Sequence, residues 1–154
     1  MRGKKAPKRI IKADGKFNRL DLAKLINRLM ERGKKSVAQG ILYDAFDIIS
    51  AKTKRDPLEV YDQAIRNVGP SLELKGRRIG GANYQVPILV IGDRKTILAH
   101  QWIINAARSK KGKPMAMKLA EELINAANNE GDAMKKKEDV QRMAEANKAF
   151  AHFA

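Results

Sequence analysis

The reactive side chains of this sequence are bases, and they come in clusters. Arg77 and Arg78 sit in a glycine-rich stretch, GRRIGGAN, at 76–83. Arg108, Lys110, Lys111, Lys113 and Lys118 fall within 108–118 with no acid among them. The first twelve residues, MRGKKAPKRIIK, hold Arg2, Lys4, Lys5, Lys8, Arg9 and Lys12, again without an acid. Ammonium and guanidinium groups pair with phosphate, and the planar guanidinium fork does so through two parallel hydrogen bonds. This is the chemistry of holding a polyanion, not of breaking bonds.

Catalytic constellations find little support. The only histidines, His100 and His152, are far apart, and His100 falls among apolar helix positions beside Ile104 and Ala107, where a packing role is expected. Gly33-Lys34-Lys35-Ser36 matches the end of a P-loop, but the earlier glycine is missing and a helix precedes it, so a helix–helix turn is expected. Glu121-Glu122 and Glu138-Asp139 are sequence neighbours and so point in different directions on a helix. Zero cysteines exclude disulfides and Cys-based zinc sites. No catalytic residue, metal, cofactor or small-molecule substrate is expected.

The chain's 154 residues suit one domain over 1–154. Its 32 Lys+Arg against 17 Asp+Glu give +15. The excess is uneven: residues 1–19 hold eight bases and one acid, 75–95 hold five and one, and 41–74 hold four bases and six acids. Clustering of this kind marks a binding footprint rather than a solubilising surface. No apolar run reaches the roughly 20 residues needed to span a bilayer, so no membrane partner is expected. No apolar segment follows the basic N-terminus, so a secretory signal is not expected either.

Six helices must carry these clusters. The first covers about 20–32, with Leu22, Leu25, Ile26 and Leu29 on one face and Gly33 as its stop. The second begins at Ser36, which makes a capping box with Gln39. Asp56-Pro57-Leu58-Glu59 opens the third, which Gly69-Pro70 ends. The fourth, about 93–108, is apolar nearly all round except for a stripe of Arg94, Gln101, Asn105 and Arg108. Trp102 lies on its apolar side and is expected in the core. A fifth runs from Pro114 to near Gly131, and a sixth starts at about Asp132.

Between the third and fourth helices the period changes to two. Leu72-Glu73-Leu74-Lys75 alternates, as do Tyr84, Val86, Ile88 and Val90, with a flexible turn expected over 76–83. The fold class expected is mainly α: a six-helix body with one protruding two-stranded antiparallel β-hairpin, at 72–90. Residues 1–17 form an extended basic arm that orders on its partner. Tyr84 has two readings, a base-stacking ring and a ring packed under the ribbon. Few aromatics and no stacking sheet favour recognition of folded or duplex shape. Physical reading alone leaves DNA and RNA both open, an architectural protein using its ribbon in the DNA minor groove being the alternative to an RNA binder.

Three stretches go further. GKKSVAQGILYDA (33–45), RRIGGANYQVPILV (77–90) and KKKEDVQRMAEANKAFAH (135–152) resemble bacterial-type small-subunit ribosomal protein seven, over about 8–152. The resemblance implies a primary binder of 16S-type rRNA that nucleates assembly of the subunit head. It also implies a place at the subunit interface, near exit-site tRNA and mRNA and beside small-subunit ribosomal proteins nine and eleven. By position, the arm bases with Lys34, Lys35, Lys75, Arg94, Arg108, Lys110, Lys111 and Lys113 would hold rRNA. Arg77, Arg78 and the tip residues Gly80, Gly81, Ala82, Asn83 and Tyr84 would approach tRNA and mRNA, flanked by Lys136 and Arg142. The implied location is the cytoplasmic ribosome, or one in an organellar matrix or stroma.

Overall fold

The computed structural model describes residues 3, 6–7 and 9–153. Arg2, Lys4, Lys5 and Lys8 of the expected arm lie outside the described residues. The chain divides into two compact units, Met1–Gln39 and Gly40–Ala154. Among the described residues, six α-helices and one antiparallel hairpin, placed after the third helix, give the mainly α architecture the sequence predicts.

In the first unit, Asp14 shapes the entry to α1 (Leu20–Leu29). Its Oδ2 accepts the backbone N–H groups of Lys16 and Phe17, both at 3.1 Å, which turns the chain where Asp14 itself is buried. Leu22, Leu25, Ile26 and Leu29 are buried at the expected spacing. The helix ends at Leu29, three residues before the expected 32, because the apolar stripe ends there and Glu31 and Arg32 face solvent. Gly33 is left-handed, φ 74°, but it serves the following turn rather than the helix end. That turn delivers the chain to α2 (Lys35–Thr53), where the Lys34 carbonyl accepts from Ala38 N–H. Ser36 therefore sits inside the first turn and is not the cap that the Ser36 and Gln39 pairing predicts.

The second unit takes α2 from Gly40 onward, with Leu42, Ala45, Phe46 and Ile49 buried. Asp56 caps α3 (Pro57–Val68) as expected: its Oδ1 accepts from Leu58 N–H at 3.0 Å, and Pro57 occupies the first helical position. Replacing such a cap typically costs about 0.5–2 kcal/mol. Packed on α3 are α4 (Asp93–Ser109) and α5 (Met115–Ala127), followed by α6 (Asp132–Ala146) and a short 3-10 helix, Lys148–Phe153. His100 is 1% exposed and joins the Tyr61 hydroxyl through Nε2 at 2.8 Å, so it is a packing histidine. Leaving either polar group unpaired there would cost about 1–3 kcal/mol. Sequence spacing carries α5 to near Gly131, yet it stops at Ala127. There Asn129 is left-handed, φ 63°, and the Asn129 and Glu130 N–H groups close back on the Ala126 and Asn125 carbonyls, at 3.2 and 2.8 Å. Asn67 Nδ2 donates to the carbonyls of Ala126 and Ala127, at 3.0 and 2.9 Å.

β1 (Leu72–Ile79) pairs with β2 (Ala82–Leu89) in a ladder from Leu72 opposite Leu89 to Ile79 opposite Ala82. The strands thus continue through most of the stretch expected as flexible turn, leaving only Gly80 and Gly81 between them. Both are left-handed, with φ of 55° and 91°. A two-residue turn with positive φ at both positions matches the right-handed twist of the strands, so pairing extends to the tip. At the base, Val86 is fully buried and Pro87 lies opposite Leu74. The terminal 3-10 helix packs on β2, and Phe150 meets Tyr84 at a ring separation of 5.0 Å. Tyr84 follows its packing reading.

Candidate nucleic-acid interface

A strand sends neighbouring side chains to opposite faces, and directly paired residues share a face. Arg77 pairs with Tyr84 and Arg78 with Asn83, so the two guanidiniums stand on opposite sides of the ribbon. Both are exposed, and neither makes an ion pair among the described residues. Gly80, Gly81, Ala82 and Asn83 are exposed at the tip. The ribbon thus offers one open Arg to each side.

The base of the hairpin is different. Glu73, with a side chain only 13% exposed, receives the Arg94 guanidinium at 2.9 Å and has Lys75 Nζ at 3.6 Å. Arg94 therefore ties the start of α4 to β1. Sequence reasoning missed Glu73, because no spacing rule links positions 21 residues apart. Its only signal is the alternation that places it on the strand.

The cluster after α4 splits three ways. Lys110 is three-quarters buried, and its Nζ lies 2.6 Å from Oε2 of Glu122, a side chain with no exposure. The contact falls outside hydrogen-bond geometry, so it is held by charge. Lys113 bonds Glu121 at 2.5 Å, and this pairing, opposed by partial burial and assisted by the charges of Lys52 and Lys110, holds the Glu121 carboxyl below the ordinary range. Lys111 is exposed and makes no ion pair among the described residues. An exposed pair such as Lys113 with Glu121 exchanges for phosphate at little cost, whereas a buried pair does not.

The other expected bases lie as follows. Arg94, Gln101, Asn105 and Arg108 form the exposed edge of α4, as their spacing predicts. Arg9 and Lys12 are exposed on irregular backbone. In the first unit, Lys34 and Lys35 are exposed and unpaired among the described residues. On α6, Lys136 is likewise open, while Arg142 is bonded to Asp139.

Trp102 differs from its expected place in the core. It is half-buried and forms a wall of two clefts. The larger, about 410 Å³, opens between the hairpin base, α4 and α6. Helical periodicity assigns a residue to an apolar face without saying whether a neighbour fills that face, so the sequence carried no signal for either cleft.

Comparison with known proteins bears on this arrangement. A family model described as ribosomal protein S7p/S5e matches residues 1–148. The chain is 61% identical over 153 residues to small ribosomal subunit protein uS7 of Thermotoga maritima, covering 99% of each chain. It is 55% identical over 149 residues to the protein of that name in Moorella thermoacetica, covering 97% of this chain and 96% of the relative. A similar match, 52% over 152 residues, is found in Desulfatibacillum aliphaticivorans.

Proposed function

The chain belongs to the ribosomal protein S7p/S5e family, and from that premise we propose that it is a primary binder of 16S-type rRNA that nucleates assembly of the small-subunit head. It is a structural protein of the small ribosomal subunit and not an enzyme. In this reading it works as one RNA-binding domain in the cytoplasmic ribosome. The open lysines and arginines hold phosphate, and the buried Lys110–Glu122 pair joins α5 to the segment after α4 behind them. Beside it we place small-subunit ribosomal proteins nine and eleven, with exit-site tRNA and mRNA near the ribbon.

One observation carries this reading: Glu122, Glu121 and Glu73 are committed to Lys110, Lys113 and Arg94, while Arg77, Arg78, Lys111 and Lys136 are left open for phosphate. The two faces of the ribbon suit two strands at once. The scaffold rRNA is held by the bases of the body and arm, and the moving tRNA and mRNA by Arg77, Arg78 and the glycine tip.

Filter binding to a head-domain rRNA fragment and to duplex DNA of equal length tests the proposal. If six to ten bases contact phosphate, rRNA affinity falls by about 10³–10⁵ between roughly 50 and 200 mM salt. The rRNA fragment is expected to bind well above the DNA at each salt concentration. Equal binding of the two would favour an architectural DNA-binding role and defeat the rRNA reading.

A further inference from the structure

We propose that the cleft between the hairpin base, α4 and α6 receives one unpaired nucleobase of the bound RNA, stacked on the exposed part of the Trp102 indole. The inference rests on the rRNA-binding reading and adds a site to it. Its walls have the character of a base pocket. Leu74, Leu98, Val140 and the half-exposed Met143 supply apolar surface beside the indole. Gln85 and Asn147 bring side-chain amides to the same cleft. Asn147 donates its amide N–H to the Met143 carbonyl, which leaves its amide oxygen as an acceptor for a base edge. A volume of about 410 Å³ falls in the range of roughly 300–1,000 Å³ typical of small-ligand sites.

Charge selects RNA over an apolar protein segment as the occupant. At the mouth, Arg94 and Lys75 share the single carboxylate of Glu73, which leaves one positive charge in excess. On the other side of Trp102 a second cleft, about 220 Å³, is lined by Asn105 and the open Lys136. Its one acid, Asp132, is paired with Lys135. A base beside Trp102 therefore has cations on both sides for its flanking phosphates. Stacking on one aromatic with cationic flanks is the sequence-tolerant mode of single-strand recognition.

Trp102 is the only tryptophan in the chain, so its fluorescence reports this cleft directly. The full-length protein is titrated with the head-domain rRNA fragment, and with a fully paired RNA duplex of equal length. The fragment is expected to quench the indole and shield it from acrylamide, and the duplex to do neither. Trp102→Ala is expected to weaken fragment binding about 5- to 150-fold, the range for losing one base–aromatic stack. Val140→Phe fills the cleft from α6 and keeps the indole, so it is expected to lose the quench and a comparable share of affinity while melting like the parent. Full-affinity binding of the fragment with unchanged emission and acrylamide access would overturn the cleft site and leave the rRNA reading standing. Quenching only on addition of another small-subunit protein would also overturn it. Absence of fragment binding in the filter assay would remove the rRNA reading and this inference together.

Discussion

Lys110 reaches the buried Glu122 carboxylate at 2.6 Å, and the same carboxylate accepts the Ala133 N–H at 2.9 Å in the first turn of α6. Glu122 thus joins three pieces of backbone: α5, which carries it, the segment after α4, and the start of α6. Gly131 passes so close that a Cβ there would lie 2.9 Å from Glu122 Oε1. Lys110→Met strands the carboxylate and is expected to cost about 2–4 kcal/mol, reduced from the fully buried case by the partial exposure of Lys110. Glu122→Gln keeps an acceptor for Ala133 and should cost less, about 1–2 kcal/mol. Lys111→Met should leave stability within about 0.5 kcal/mol and weaken rRNA binding instead. Urea unfolding and filter binding of the three variants separate the structural lysine from the binding one.

The ribbon arginines face opposite ways, so their losses should be independent. Arg77→Ala and Arg78→Ala are each expected to lower the salt slope of tRNA or mRNA binding by about one unit, and their effects to add. The double substitution Arg77→Glu/Arg78→Glu should reduce tRNA and mRNA contact strongly while rRNA affinity stays within several-fold. Equal loss of rRNA and tRNA binding would contradict the division of labour between body and ribbon.

Gly80 and Gly81 have no heavy atom within 4 Å of a built Cβ, so substitution there meets conformational strain and not a clash. Gly81→Val, at φ 91°, is expected to destabilise the turn by about 1–2 kcal/mol, whereas Gly80→Asn, at φ 55°, should be tolerated. Amide hydrogen exchange along β1 and β2 is the measurement. Protection should fall in Gly81→Val from the tip toward the base and remain near parental in Gly80→Asn.

Much of this architecture is legible in local pattern. The apolar spacings of Leu22 to Leu29 and Leu119 to Leu123 find their helices, Asp56-Pro57 marks a start, and the period-two stretch finds the ribbon. Boundaries fail where single left-handed residues set them: Asn129 closes α5 before Gly131 is reached, and the glycine turn lets β1 run on through Arg78. The candidate site divides the same way. Lys110, Lys111 and Lys113 are alike in sequence, and only the acids that α5 brings beside them decide which remains open. Trp102 at helical spacing reads as core because periodicity identifies a face and not the gap beside it.

Asn67 holds the end of α5 through two carbonyls, and its own carbonyl accepts the Lys137 ammonium at 2.5 Å. This links α3, α5 and α6 at one point. Asn67→Ala leaves the Ala127 carbonyl without its side-chain donor, while Ala126 keeps the Asn129 N–H at 3.2 Å, and is expected to cost about 1–3 kcal/mol. Lys137→Met removes one part-buried bond and should cost less, about 0.5–1.5 kcal/mol. Thermal melts of both variants check the order, and a Lys137→Met loss larger than that of Asn67→Ala would contradict it.

Acid should weaken the fold through two carboxylates held below their ordinary values. For Glu121 the Lys113 hydrogen bond leads, outweighing partial burial. For Asp21 burial pulls upward but is overcome by Arg19, which contacts both carboxylate oxygens, at 3.0 and 2.6 Å. A carboxyl with a lowered folded pKa contributes stability above its unfolded value, 4.5 for Glu121 and 3.8 for Asp21, and loses it as pH falls through the folded value. The urea midpoint is therefore expected to decline progressively below pH 4.5. Lys113→Met should flatten the part due to Glu121, and Arg19→Met the part due to Asp21. Because the Lys113 pair lies near the surface, raising salt should flatten its part as well. A parental acid slope in Lys113→Met would show that the Glu121 pairing carries none of it.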